Sequence, residues 1–455
     1  MELDRRDLAR FRAAIRRCVG GRPRGLAPPV TLQQTKGSLT LSVVLQETAL
    51  ALRLPGAGGP TARLVVPSST LAAIVGPGGG IVSFEPIETG GVRCRWQDRG
   101  EAKELESVPS EGQTALPPLG KLQDVDASLL TALHACGQTA NREQTGRPAL
   151  TRLQLRGQAG EIAGTDGRQL LLWGGFALPF REDLLVPAVP IFGGRELAGE
   201  QDVRIGRTAK HVAVAAGPWT VWLAVDAESK YPDVIAVIPS SFGKLVIDDV
   251  DAAALLQELQ RRPPSGGAVV PVALDLGLRA AVRWPEETSR RKKPLILSRS
   301  TFSGPATVIK IDPQYVIRAL ALRFRELHSS SGDLPVWFRD EHRRYVVANI
   351  GPAPARAAAS ADTTALSAQR PASPSPEHGE ESMNTDRNGG PPAEHLQADD
   401  VLDPLTEAEA LRVALTEVAR RSGRLIASLR RFQKQRRALH SAWTSLKDLR
   451  LGPRE

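Results

Sequence analysis

Between Asp4 and Val19, apolar side chains recur at helical spacing at Leu8, Phe11 and Ile15, with Cys18 and Val19 behind them. Arg5, Arg6, Arg10, Arg12, Arg16 and Arg17 surround that stripe, so the segment predicts an amphipathic helix that Gly20-Gly21 ends. Alternating apolar segments follow at Leu39–Val44, Ala49–Leu54 and Ala62–Val66 and read as strands. Pro67–Val75 predicts a short helix between a Pro-Ser start and a Gly76-Pro77 stop, and strands continue to about Pro109.

The same order then returns twice. Asp126–Gly137 is helical, Leu150–Trp173 gives strands, Pro187–Leu197 predicts a second short helix, and Val203–Val225 gives more strands. In the third round, Asp251–Arg262 is a helix, Val269–Trp284 and Leu295–Phe302 are strands, Pro313–His328 is a helix, and Pro335–Ile350 closes with strands. Units of roughly 110 to 120 residues, each helix–strands–helix–strands, make an internal repeat. Leu64-Val65-Val66-Pro67 in the first unit matches Leu184-Leu185-Val186-Pro187 in the second, and Ile309-Lys310-Ile311-Asp312-Pro313 stands at the same place in the third.

Beyond Gly351 the pattern changes. Pro, Ala, Ser, Gly and scattered charge run to about Asp400, too polar and too small to bury a core. Leu411, Leu415, Val418, Leu425, Leu429, Phe432, Leu439, Trp443 and Leu446 then alternate in four- and three-residue steps, with Ser422 and Arg436 at the two polar seam positions. That is a heptad pattern. The expected class is α+β: domains at 1–120, 121–243 and 244–351, each with two helices packed on antiparallel sheets, then a disordered linker at 352–402 and a coiled-coil helix at 403–450.

Composition changes this picture little. The chain has 455 residues, 41% of them apolar and only 4% aromatic, so its cores rest on Leu, Val, Ile and Ala. The net charge is +9, of which the stretch from Val401 to Glu455 holds +6, twelve Lys/Arg against six Asp/Glu. A basic balance suits an acidic partner such as nucleic acid. Cys18, Cys94 and Cys136 form no CxxC pair, so neither a disulfide framework nor a zinc site is expected. The charged N-terminus and the absence of any run of ~18 apolar residues lead to the expectation of a cytoplasmic protein without a membrane partner.

Catalytic constellations are missing. The seven His form neither HxH nor HExxH, and neither G-x-S-x-G nor GxxxxGK[ST] occurs. Gly76–Gly80 follows a predicted helix instead of opening one and reads as a turn. Asp166 sits in a Thr-Asp-Gly turn, where the turn role outweighs a catalytic one. Arg290–Lys293 reads as a solvated hairpin tip. No enzyme and no cofactor are expected.

Several segments resemble the beta sliding clamp of bacterial DNA polymerase III. Thr165-Asp166-Gly167-Arg168-Gln169-Leu170 resembles that family's Thr-Asp-Gly-His-Arg-Leu, and Tyr231-Pro232-Asp233 with Val237-Ile238-Pro239 resembles its Tyr-Pro-Asp and Leu-Pro. Gly20-Gly21-Arg22-Pro23 resembles its Gly-Arg-Pro turn, and Tyr345-Val346-Val347 the start of its closing strand. The likeness spans Met1 to Ile350. It implies the DNA clamp fold, with two head-to-tail subunits closing a homodimer ring around duplex DNA, helices inside and sheets outside, and a clamp loader as a further partner.

In such a ring the DNA-facing candidates on the predicted inner helices are Arg10, Arg16, Arg17, Arg195, Arg261, Arg262, Arg318 and Arg323, joined by Arg22, which matches the family's DNA-contacting turn, and Arg142, in a loop that would face the same way. The resemblance also implies a groove that takes a short apolar peptide from a DNA polymerase or repair protein. Its walls would be Thr165, Gly167, Arg168, Gln169, Leu170, Pro239, Val346, Val347, Ala348 and Ile350, although Leu170, Val346 and Val347 equally suit the core of a domain junction. Replacing Leu170 and Val346 by Asp is expected to abolish peptide capture in a folded subunit. Arg168-Gln169 stands where the family has His-Arg, and Ala348-Asn349-Ile350-Gly351 replaces its closing Met-Pro-Met-Arg-Leu. These departures, and a hundred further residues, point to a paralogue. A non-encircling scaffold that acts through its coiled coil is the competing reading. The basic coil itself suits either partner pairing or a second nucleic-acid contact.

Overall fold

The computed structural model describes residues 1–19, 27–56, 60–76, 78–108, 115–141, 147–261, 270–284, 294–330 and 334–350. The expected linker and coiled coil, the Arg290–Lys293 run, and Arg22, Arg142 and Arg262 lie outside the described residues.

Three repeats follow one another. The first holds β1 (Glu2–Asp4), α1 (Arg5–Cys18), β2 (Pro29–Thr35), β3 (Ser38–Val44), β4 (Thr48–Pro55), β5 (Ala62–Pro67), α2 (Ser68–Ile74), β6 (Ile81–Pro86), β7 (Val92–Asp98) and β8 (Glu101–Ser107). The second holds β9 (Lys121–Asp124), α3 (Ser128–Thr139), β10 (Arg152–Arg156), β11 (Glu161–Thr165), β12 (Gln169–Trp173), β13 (Asp183–Pro187), β14 (Val203–Arg207), β15 (His211–Ala216) and β16 (Trp219–Ala224). The third holds β17 (Gly243–Val246), α4 (Asp249–Gln260), β18 (Val272–Leu276), β19 (Ala281–Arg283), β20 (Leu295–Ile296), β21 (Thr301–Ser303), β22 (Thr307–Ile311), α5 (Pro313–Ala321), β23 (Glu326–Ser329), β24 (Val336–Arg339) and β25 (Arg343–Val347).

Helix starts follow from sequence. Asp4, Asp248 and Asp312 each accept a hydrogen bond from the backbone N–H two residues on, at 2.7, 2.8 and 2.9 Å, which satisfies one orphan donor of α1, α4 and α5. On α1, Leu8, Phe11, Ala14, Ile15 and Cys18 are buried, the face that the apolar stripe predicts. α3 packs directly on β11, where a Cβ on Gly164 would collide with the Cys136 carbonyl, so only glycine allows that approach.

Two expected helices are shorter than the sequence pattern suggests. In place of Pro187–Leu197 there is a 3-10 turn over Pro190–Gly193, because Gly193-Gly194 gives no helical support. The helix expected over Pro313–His328 ends at Ala321. Arg323 adopts φ +64°, and the N–H groups of Arg323 and Phe324 return to the Leu320 and Ala319 carbonyls at 2.9 and 3.0 Å. This is a Schellman end with arginine where glycine is usual. Arg323→Gly is therefore expected to raise stability by about 0.5–1 kcal/mol. Denaturant unfolding of the two proteins checks this, and a loss of stability would show that the arginine side chain compensates for its strained backbone.

Sheet topology joins the repeats. An eight-stranded sheet runs β5-β2-β3-β4-β16-β15-β14-β9, and a nine-stranded one β13-β10-β11-β12-β25-β24-β23-β17-β21. In both, the strand that ends one repeat's four-stranded half pairs antiparallel with the last strand of the next: β4 with β16, and β12 with β25. Two four-stranded sheets remain, β1-β6-β7-β8 and β20-β19-β18-β22. Among the described residues, β8 and β20 stand at sheet edges without a partner strand.

Candidate DNA-facing helices and peptide groove

The basic residues divide by what they touch. Arg10 is exposed on α1, its guanidinium 5.8 Å from the centre of the Trp219 ring and 3.5 Å from the Asp7 carboxylate. Arg16, one helical turn and a half further, is exposed as well. Arg17 Nε lies 3.3 Å from the buried Glu196 carboxylate, and its stem covers Gly194 in the second repeat. Arg195 projects to solvent from that same turn. Arg10 and Arg17 thus reach the second repeat from α1, while Arg16 and Arg195 are exposed. Arg261 caps α4 and sits 3.7 Å from Glu258.

Arg318 has a different role. Its guanidinium donates to the Ala135 carbonyl and Thr139 Oγ1, both at 2.7 Å, and to the Gln138 carbonyl at 3.3 Å. A cation at the last carbonyls of α3 satisfies its orphan acceptors and the negative end of its dipole. Arg318 thus fastens α5 of the third repeat to α3 of the second, with two of its nitrogens used inside the protein. Arg323 is exposed at the end of α5.

The groove residues lie at the β12·β25 pairing. Leu170 and Val346 face each other across it and are 1% and 0% exposed. They share the outer sheet face with Ala163, Leu172 and Trp337, and Val234 of the connection between repeats is buried on top of them. Alternation turns Val347 to the opposite face, into the main core beside Tyr345. Thr165 is buried at the rim, where its Oγ1 donates to the Gln169 carbonyl at 2.7 Å and accepts from Gly167 N–H at 3.0 Å. Asp166 accepts from the N–H groups of Arg168 and Gln169 at 2.8 and 2.9 Å, and from Gln169 Nε2 at 2.9 Å. Both carboxylate oxygens of Asp166 serve the turn.

Arg168 is exposed, and its carbonyl accepts from Ala348 N–H at 3.0 Å, which places those two residues side by side at one end of the strand pair. Pro239 is half-buried in the connection. Ile350 lies apart, its N–H bonded to the Lys310 carbonyl of β22 at 2.7 Å. Sequence reasoning missed Ala163, Leu172, Val234 and Trp337. The two-residue step from Leu170 to Leu172 was the available signal for one of them. With Leu170 and Val346 fully covered, aspartate at either position would bury a charge in the junction, so the rim residues are better probes of peptide binding.

One further constellation adjoins Trp337. Ser241 Oγ lies 2.8 Å from His328 Nδ1, and His328 Nε2 lies 2.5 Å from Glu326 Oε1. The order resembles a nucleophile, base and acid. However, Lys244 at 2.7 Å and Arg339 at 3.5 Å already engage Glu326, and the imidazole stacks on Trp337 with ring centres 4.1 Å apart. The arrangement pins the end of the connection onto β23. The thiols are equally inert: burial pushes Cys18 up to about 12 and Cys94 to about 11, and Cys136 higher still. Among the described residues no helix is long and apolar enough to cross a membrane.

No protein-family model matches the sequence, and no curated protein matches it. Solved structures do. The DNA polymerase III subunit beta of Pseudomonas aeruginosa aligns at TM-score 0.63 and 18% identity, over 77% of this chain and 100% of that one. The DNA polymerase sliding clamp of Bacillus subtilis aligns at TM-score 0.65 and 15% identity, over 77% and 98%. A DnaN sliding clamp from Pseudomonas aeruginosa bound to griselimycin aligns at 0.64 and 18%, over 77% and 98%. At these identities the likeness is one of architecture, and the described chain has the fold of the bacterial DNA polymerase sliding clamp.

Proposed function

We propose that the chain is a non-catalytic clamp that encircles duplex DNA and tethers a polymerase or repair protein to it. Two copies close head to tail, with β8 of each against β20 of the other. One observation carries the reading. Within the chain, β4 and β12 each pair with the last strand of the following repeat, and the counterparts left over by that rule are β20 and β8. Bare strand edges invite pairing, and pairing these two adds a third junction of the same kind.

The helices follow the same rule. α1 meets the 3-10 turn of the second repeat through Arg17 and Glu196, and α3 meets α5 of the third through Arg318. In a closed ring α4 would meet α2 of the second copy, and the basic helix faces would line the hole. A topological link holds DNA without base contacts, while exposed arginines attract phosphates and still release them. A clamp loader, a cytoplasmic setting and capture of a short apolar peptide near Arg168, Pro239 and Ala348 complete the reading.

Ligation trapping tests encirclement without a loader. Linear duplex is incubated with the protein, circularised by ligase, and gel-filtered at about 0.5 M salt, where plain phosphate contacts fail. Protein that stays with the circle and leaves after restriction cleavage supports encirclement. Equal loss from circle and linear duplex would overturn it. For the groove, Ala348→Asp is expected to weaken an apolar polymerase-derived peptide at least about tenfold, roughly 1.4 kcal/mol, with thermal stability unchanged. Fluorescence anisotropy measures this, and undiminished binding would move the peptide site elsewhere.

A further inference from the structure

The glycines between α2 and β6 close around a buried arginine. Arg5, the first residue of α1, is 3% exposed. Its backbone N–H donates to the Gly80 carbonyl at 2.9 Å. A Cβ on Gly76 would stand 2.9 Å from its Nη2, and one on Gly78 would stand 4.0 Å from its Nη1. Glycine at position 76 therefore lets the backbone pass directly over the charge.

The guanidinium is engaged on two sides. Nε and Nη2 both donate to the Ile74 carbonyl, at 3.1 and 2.8 Å. Ile74 is the last residue of α2, so its carbonyl is one of the acceptors that a helix end leaves unpaired, and the cation meets the negative end of that helix. On the other side Nη1 donates to the Gln97 carbonyl at 3.2 Å and to Asp98 Oδ1 at 3.3 Å. Gln97 and Asp98 end β7 at the turn into β8. That turn is tight: Asp98 stands in register with Glu101, with Arg99 and Gly100 at φ +53° and +86° between them. A planar guanidinium with donors along both edges holds the helix end and the turn at once, where an ammonium presents a single nitrogen.

We infer that Arg5 is the positioning residue of the ring-closing surface, holding β8 and the end of α2 in one fixed relation so that a second copy meets strand and helix together. The inference rests on closure through β8 and β20 as proposed above, where α2 would face α4 of the other copy. Among the described residues β8 pairs with β7 alone, so the anchor at the hairpin turn is what ties this free edge to a helix. Buried ions contribute little net stability once their desolvation is counted. What this one supplies is geometry.

Two readouts on the full chain test it. Hydrogen exchange in dilute solution reports the coupling within one chain. Arg5→Met is expected to speed exchange along β7–β8 and at the end of α2 about tenfold, with β2, β3 and β4 unchanged. Sedimentation equilibrium reports closure. Arg5→Met is expected to weaken dimerisation about tenfold, and Arg5→Lys, which keeps the charge and loses the fork, to match it. Asp98→Ala removes the half-buried anionic contact, leaves the buried arginine in place, and is expected to weaken dimerisation in the same direction. Leu32→Ala, a core truncation in the other sheet of this repeat, lowers subunit stability and is expected to leave dimerisation unchanged. A wild type that stays single at every concentration overturns closure, on which the inference depends. A wild type that dimerises while Arg5→Met and Asp98→Ala dimerise equally well overturns the role of Arg5 alone. So does a weakening that Leu32→Ala reproduces, or exchange along β7–β8 that Arg5→Met leaves unchanged.

Discussion

Replacing Trp219 with alanine is expected to cost about 3–5 kcal/mol, the range for removing a large aromatic from a packed core. Trp219 is fully buried at the start of β16, in register with Leu52 of β4. Its ring stacks on Phe11 of α1, with centroids 6.3 Å apart and planes 10° apart. One side chain of the second repeat thus touches both the strand and the helix of the first, so its loss opens the junction as well as a cavity. Its Nε1 has no hydrogen-bond partner among the described residues. Trp219→Phe therefore leaves no polar group stranded and should restore most of the loss. Chemical denaturation followed by hydrogen exchange at β4 and β16 separates local from global opening. A cost below about 1 kcal/mol would show that the junction is held by its strand pairing alone.

The second large effect concerns DNA. Arg10→Glu, Arg16→Glu and Arg195→Glu together are expected to lower affinity for duplex on the order of 100-fold near 0.1 M salt, and to reduce the log–log salt slope by roughly 2 to 3. The slope decides between contact and bystander, because only residues that displace counterions change it. All three side chains are exposed. Arg318→Met is the contrasting variant. Its guanidinium is engaged by three acceptors on α3, so it should loosen the second junction and leave the salt slope unaltered. An unchanged slope in the triple variant would remove α1 from the DNA-facing surface.

Much of this architecture is written in local pattern. Leu64–Pro67, Leu184–Pro187 and Ile309–Ile311 became part of the edge strands β5, β13 and β22, one in each repeat, because a short apolar run with a proline at or just after its end determines both the strand and where it stops. The N-terminal helix was legible for a similar reason, since its apolar stripe and its aspartate cap agree. Junction partners were not. Nothing in β12 specifies β25, some 175 residues away, because alternation fixes which face is buried and not which strand adjoins.

The site was legible in outline and uneven in detail. Thr165–Leu170 and Tyr345–Val347 do meet, yet period-two alternation keeps Val346 and Val347 off a common face, so only one of them can line a groove. Arg318 reads like any basic residue on an amphipathic helix, since its acceptors lie in another repeat. The overlong third-repeat helix has the same origin. A non-glycine residue at positive φ leaves no mark in the sequence, and the apolar spacing runs past it.

The central claim is ring closure through β8 and β20, and electron microscopy of the full chain tests it most directly. Closed rings of two chains, six repeats around an open hole, are the expected result. They should fall apart when a proline is placed in β8 at Glu104, whose N–H alternation turns away from β7 and onto the proposed pairing edge. Single three-repeat chains at every concentration, or dimers in which β8 and β20 stay unprotected from hydrogen exchange, would contradict it.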